Sequence, residues 1–237
     1  MGQGKKGYEL GILGGMGPLA TATLFEKIVL RTKASCDQEH IEMVVLDKVS
    51  IPDRTRAILY NEDSPLPKLN EGIEELISLG CKYFIMPCNT AHAFSKDFKN
   101  LDKIKFINMI EETKKKLLKS NQEFYVFCTY GTRKVNVYDA PFLKYPDKDT
   151  QKKVMDIITN TKAGSDEFDN LVKLIKEFNH NVLLACTELS IYYDKIHKLD
   201  ISGKEFKNIL VEDAMDILID SVFKKLKKDQ INWSLFY

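Results

Sequence analysis

Short apolar runs alternate with longer stretches whose apolar residues recur at helical spacing along almost the whole chain. Leu10 to Leu13 is a short strand running into Gly14-Gly15-Met16-Gly17-Pro18. Leu19 to Thr32 then carries a helical pattern, with Pro18 suited to the first turn. Ile41 to Leu46 reads as a strand, Ser50 to Pro67 as a loop containing Pro and Asp, and Leu69 to Leu79 as a helix closed by Gly80. An apolar strand, Tyr83-Phe-Ile-Met-Pro-Cys88, follows. A helix from Ala91 to about Asn100, a strand Ile104 to Asn108 and a Lys-rich helix Ile110 to Lys119 complete a first half.

After the polar link Lys119-Ser-Asn-Gln-Glu123 the pattern restarts. Phe124 to Cys128 is a strand leading into Thr129-Tyr-Gly131-Thr132, in the place of the glycine loop. Helical stretches near Thr150 to Asn160 and Ser165 to Phe178 precede a second apolar strand, Asn181-Val-Leu-Leu-Ala-Cys186. A long amphipathic helix, about Lys204 to Lys228, is expected to pack back on the first half, and the aromatic tail Trp233 to Tyr237 to dock in the fold or an interface. The expected fold is α/β, with two similar Rossmann-like lobes built on mostly parallel sheets. In such sheets ligands bind beyond the carboxyl ends of the strands, so the active site is expected in the cleft between lobes. Residues 1–120 form the expected first lobe, joined by the C-terminal helix at about 204–237, and residues 121–203 the second.

Both second-half and first-half apolar strands end in a cysteine closely followed by threonine: Cys88-Asn89-Thr90 and Cys186-Thr187-Glu188. Alone, each cysteine reads as a small buried residue. As a pair they read differently, because each stands where a helix should start, and a helix N-terminus favours thiolate. Two thiols facing each other across a cleft can invert a stereocentre, one taking a proton from carbon and the other returning one. Cys36, Cys81 and Cys128 lack that setting and are taken as structural. Gly14 to Pro18 is either a tight turn or a set of backbone N–H groups able to hold a carboxylate.

Composition narrows the partner. The 237 residues are 44% hydrophobic and 29% charged, and 35 basic against 34 acidic residues leave a net charge of +1. No overall field favours nucleic acid or a membrane surface, so a small molecule is expected. Met1 to Tyr8 leads straight into the first strand without the apolar core of a signal peptide, and a cytoplasmic protein is expected. Five cysteines, an odd number, argue for reduced thiols rather than a disulfide framework. His40, His92, His180 and His197 show no metal-ligand spacing, and neither a dinucleotide fingerprint nor a phosphate loop occurs. No metal and no cofactor, pyridoxal phosphate included, are expected.

With these motifs in hand, the chain resembles the aspartate branch of the aspartate/glutamate/hydantoin racemase superfamily. The resemblance rests on Gly11-Ile-Leu-Gly-Gly-Met-Gly-Pro18, Ile51-Pro-Asp-Arg54-Thr55, Pro87-Cys-Asn-Thr-Ala-His92 and Ala185-Cys-Thr-Glu188, in that order along the chain. It implies cofactor-independent racemisation of aspartate, with glutamate as a further candidate, by two thiols in a cleft between lobes, and a homodimer. Cys88 and Cys186 would be the acid/base pair. Asn89, Thr90 and Thr187, with Met16 and Gly17, would line the substrate's α-carboxylate and amine. Arg54 would grip the side-chain carboxylate with help from Lys162, and Thr129 and Thr132 would correspond to a Thr-x-x-Thr loop. Arg133-Lys134-Val135 departs from the small residues expected after that loop. Within the same fold a hydantoin racemase or a maleate isomerase is an alternative, and a two-lobe amino-acid-binding module is the non-enzyme one.

Overall fold

The computed structural model describes residues 7–200, 206 and 208–231. The expected docking of the tail Trp233 to Tyr237 falls outside the described residues. Two four-stranded parallel sheets share one plan. The first takes β1 (Leu10–Gly14), β2 (Met43–Asp47), β3 (Tyr83–Ile85) and β4 (Lys105–Phe106) in the order β2-β1-β3-β4. The second takes β5 (Phe124–Phe127), β6 (Leu143–Lys144), β7 (Val182–Leu184) and β8 (Val211–Asp213) in the order β6-β5-β7-β8. Each cysteine follows a strand next to the one that opens its lobe, β3 beside β1 and β7 beside β5.

Apolar residues fill every position of the buried central strands because both faces of each sheet are covered. The faces nevertheless differ. Ile85 of β3, Leu183 of β7, Leu10 and Ile12 of β1 and Val126 of β5 point into one cluster shared by both lobes. Phe84, Met86 and Cys88 point the other way, into a cluster confined to the first lobe. Val182, Leu184 and Cys186 do the same in the second. Both cysteines therefore continue the outward-facing register of their strands, a direct result of period-2 alternation.

The helices are α1 (Pro18–Arg31), α2 (Arg54–Tyr60), α3 (Leu66–Ser78), α4 (Met109–Leu118), α5 (Tyr130–Lys134), α6 (Lys148–Lys162), α7 (Phe168–Phe178), α8 (Thr187–Ser190), α9 (Tyr193–Asp200) and α10 (Ala214–Leu226). Several differ from the sequence reading. The stretch Ser50 to Pro67, expected as a loop, contains α2, whose start is capped by Asp53 accepting from the Arg56 N–H at 2.8 Å and whose end is the left-handed Asn61. The helix expected after Cys88 is a 3-10 run, Thr90–Asp97. The single helix expected from about Lys204 is instead β8 followed by α10, and β8 belongs to the second sheet. Asp213 separates them: its side chain accepts from the Asp216 N–H at 2.8 Å, which makes it the cap where α10 begins. α10 itself packs on α4 and α1.

Charge also ties the lobes. Lys27 of α1, with a side chain 5% exposed, reaches Asp194 of α9 at 2.9 Å and Asp216 of α10 at 2.8 Å. Arg31 joins Asp216 as well. Among the described residues no helix is long and apolar enough to cross a membrane.

Candidate active site

Cys88 is held by its own backbone. Burial pushes the His92 imidazole down to about 4, so the ring is neutral at ordinary pH. The Met109 N–H donates to Nε2 at 3.3 Å, which leaves the proton on Nδ1, and that N–H donates to the Cys88 carbonyl at 2.8 Å. The turn carrying Cys88 is thereby fastened to the start of α4. Pro87, just before it, withholds a backbone donor where the chain leaves the sheet.

Asn89 and Thr90 follow, both buried. The Tyr138 hydroxyl donates to Asn89 Oδ1, so the amide Nδ2 is turned the other way, and it is buried with no protein partner. Thr90 Oγ1 lies 2.9 Å from the hydroxyls of both Thr129 and Thr132, and those two are 3.2 Å apart. A side chain at Gly131 would strike Thr55 and Thr90, so the glycine permits this close contact between lobes. Thr129 and Thr132 thus spend their hydroxyls on joining the lobes, Thr129 also capping α5.

Arg54 opens α2 and is 9% exposed. Its Nη1 donates to the Ile51 and Pro52 carbonyls at 3.3 and 3.1 Å, and its Nη2 to the Met16 carbonyl at 3.2 Å. A guanidinium carries five N–H donors. The three carbonyls leave Nε, buried and unpaired, and one further Nη2 proton. Among the described residues no carboxylate pairs with this cation. Met16 contributes its carbonyl here, while its side chain lies in the first-lobe core, and the Met16-Gly17 peptide is cis.

Cys186 is 5% exposed and sits directly before α8. Its thiol donates to Glu188 Oε2 at 2.9 Å, and Glu188 Oε1 lies 3.5 Å from Lys162 Nζ at the end of α6. A Cβ at Gly17 would stand 3.6 Å from that same Oε1, so the glycine loop of the first lobe faces the second cysteine motif. Burial opposes the Lys162 charge, but Glu188, then Cys186 and Cys88, raise its pKa against the pull of Arg54, so all four lie within electrostatic reach of this ammonium. Thr187, the first residue of α8, is buried beside them.

The expectation that a helix start lowers the thiol pKa is reversed at Cys186. Burial, then the Glu188 carboxylate, pushes it well above the ordinary thiol range, against the pull of Lys162. α8 is a single turn, too short to offset them. Of the remaining cysteines, Cys81 and Cys128 are buried, with burial raising the first to about 11 and the second further. Cys36 is exposed, so it does not serve packing. Among the described residues no group of three or more His, Cys, Asp or Glu side chains is placed to hold a metal ion.

Three residues of this locus escaped the sequence reading. Glu188 and His92 stood inside motifs that were used only as signatures, and Tyr138 carried no local signal at all.

The profile of the Asp/Glu/Hydantoin racemase family matches residues 13–221. The chain belongs to this family. That makes it an isomerase of the racemase class. An aspartate racemase of Picrophilus torridus superposes with a TM-score of 0.78 at 32% identity, over 96% of this chain and 98% of that one. The broad specificity amino-acid racemase RacX of Bacillus subtilis (strain 168) is 23% identical over 203 residues, which cover 79% of this chain and 88% of RacX. A glutamate racemase of Francisella tularensis, solved with D-glutamate, shares the fold at 16% identity and a TM-score of 0.58, over 93% of this chain and 81% of that one.

Proposed function

We propose that this racemase interconverts L- and D-aspartate without a cofactor, Cys88 and Cys186 acting as base and acid on opposite faces of the α-carbon. The observation that carries the acidic substrate is Arg54, a buried cation whose Nε is unpaired and which no carboxylate among the described residues joins. Its Nε–H, with the remaining Nη2–H, can meet a side-chain carboxylate, and the planar fork suits bidentate contact. The similarity to the Picrophilus aspartate racemase points the same way.

An amino-acid α-proton is far less acidic than a thiol, so a thiolate removes it only if the carbanion is stabilised. The Asn89 amide, unpaired and next to Cys88, supplies an N–H for charge gathering on the α-carboxylate. A preorganised donor of this kind is worth about 3–4 kcal/mol. One thiolate takes the α-proton while the opposite thiol delivers its own to the other face. Because each residue must serve as acid in one direction and base in the other, two residues of one type suit the reaction.

A broader range of amino acids is the second reading. The RacX relative is named for broad specificity, and Lys162 already has Glu188 as a partner, so it is not held ready for a side-chain carboxylate. Enantiopure L-aspartate, L-glutamate and L-alanine incubated in deuterated water with dialysed, reduced protein separate the two. D-aspartate formed fastest and carrying an α-deuteron supports the main reading. Equal rates with alanine support the second, and no D-isomer from any of them overturns both.

A further inference from the structure

Glu188 is the feature of the cleft that the racemisation scheme leaves unused. It is 5% exposed, it accepts the Cys186 thiol proton at 2.9 Å, and its other oxygen lies 3.5 Å from Lys162 Nζ. Among the described residues no carboxylate accepts a bond from Cys88. The two sulfurs, alike in sequence setting, thus differ in their immediate electrostatics. Ionising Cys186 would set a second negative charge against a carboxylate in hydrogen-bond contact with little water to screen it, whereas the thiol gives that carboxylate a donor. Two groups oppose this: the Lys162 ammonium and, more weakly, the Glu188 backbone N–H.

We propose that Glu188 holds the proton on Cys186 in the empty enzyme, so that the cleft rests with Cys186 as the acid and Cys88 as the base. The proton count closes. From this form the substrate's Cα–H bond breaks toward the Cys88 thiolate, the Cys186 S–H bond breaks, and its proton forms the new Cα–H bond on the opposite face. Product leaves an enzyme with Cys88 protonated and Cys186 as thiolate, and one proton returning from Cys88 to Cys186 restores the resting form. Glu188 favours that return. The resting enzyme therefore engages first the enantiomer whose α-proton faces Cys88.

The inference rests on the two-thiol reading of the cleft, but its test reads sulfur ionisation and not turnover. The ultraviolet absorbance of thiolate is followed against pH in the whole chain carrying Cys88→Ser, which isolates Cys186, and in Cys186→Ser, which isolates Cys88. The contributions of Cys36, Cys81 and Cys128 are common to both. Cys88 is expected to ionise at the lower pH. Adding Glu188→Gln to Cys88→Ser is expected to increase the acid constant of Cys186 at least about tenfold, and adding Lys162→Met to decrease it. Circular dichroism checks that each variant is folded. Should Glu188→Gln not fold, the order of ionisation in the two single-cysteine variants decides alone. Cys186 ionising before Cys88, or a folded Glu188→Gln variant whose Cys186 midpoint stays put, overturns the proposal. Variants that titrate as expected, alongside a wild-type chain that fails to racemise aspartate, overturn the proposed reaction and leave the ionisation assignment standing.

Discussion

The Tyr138 hydroxyl, fully buried in the second lobe, donates to the side-chain carbonyl of Asn89, the neighbour of Cys88 in the first. One hydrogen bond across the lobe boundary thus decides which end of the Asn89 amide is free for a ligand. Tyr138→Phe keeps the ring and removes the bond. The buried Asn89 oxygen then lacks a donor, which costs about 1–3 kcal/mol of stability. The amide is also released to rotate, and kcat for racemisation is expected to fall about tenfold, equivalent to ~1.4 kcal/mol. Urea unfolding and steady-state kinetics measure the two effects, and an unchanged kcat in a destabilised variant would show that Tyr138 serves the fold alone.

Cys88→Ser and Cys186→Ser are each expected to abolish racemisation and leave the fold intact, because a serine hydroxyl is far too weak an acid to serve as the base or its conjugate. Each single variant retains one working face. It should therefore still exchange the α-proton of one enantiomer with solvent. Proton NMR of L- and D-aspartate in deuterated water reads this, and full racemisation by either variant would sink the two-thiol mechanism.

Replacing Arg54 with Lys keeps the charge and loses the planar fork with its unpaired Nε–H. The expected loss in kcat/KM for aspartate is roughly 2–4 kcal/mol. Lys162→Ala should lose less, since Lys162 already has Glu188 as a partner. Alanine and serine turnover is expected to be slow in the wild type and to change little in either variant. Wild-type turnover of aspartate by Arg54→Lys is the outcome that refutes the acidic-substrate assignment.

His92 makes stability depend on pH. Its folded pKa of about 4 lies below the ordinary 6.5, so the unfolded chain binds the extra proton first. The stabilisation is complete above about pH 6.5 and declines as pH falls toward the folded value, by about 2 kcal/mol at pH 5 and ~3 kcal/mol at the limit. His92→Gln retains a donor and an acceptor without the titration. Urea unfolding at several pH values should give a shallower slope for this variant between those limits, and identical slopes would contradict the assignment.

Much of the fold could be read locally. The alternation that buries Phe84, Met86 and Cys88 on one side of β3 and Ile85 on the other is written in a strand's period of two, and β7 repeats it with Val182, Leu184 and Cys186. Short elements escaped because they carry too few residues to show a period. α2 and α5 depend on the caps Asp53 and Thr129 and on packing against each other, which leave no run of periodic residues.

The sequence by itself determined the two-lobe α/β plan, the cysteine at the end of each central strand, and the motif order that marks the family, because burial and backbone geometry impose periodic patterns that survive in a linear string. Only the tertiary structure decided which charges and hydroxyls meet. Lys162, Glu188 and Gly17 converge from α6, α8 and the first glycine loop, and Thr90 meets Thr129 and Thr132 across the lobes. Contacts between residues so far apart in the chain have no period to betray them. Cys88 and Cys186, alike in their local motifs, differ for the same reason: folding brings a carboxylate against the Cys186 sulfur, and burial together with that carboxylate raises its thiol well above the ordinary range.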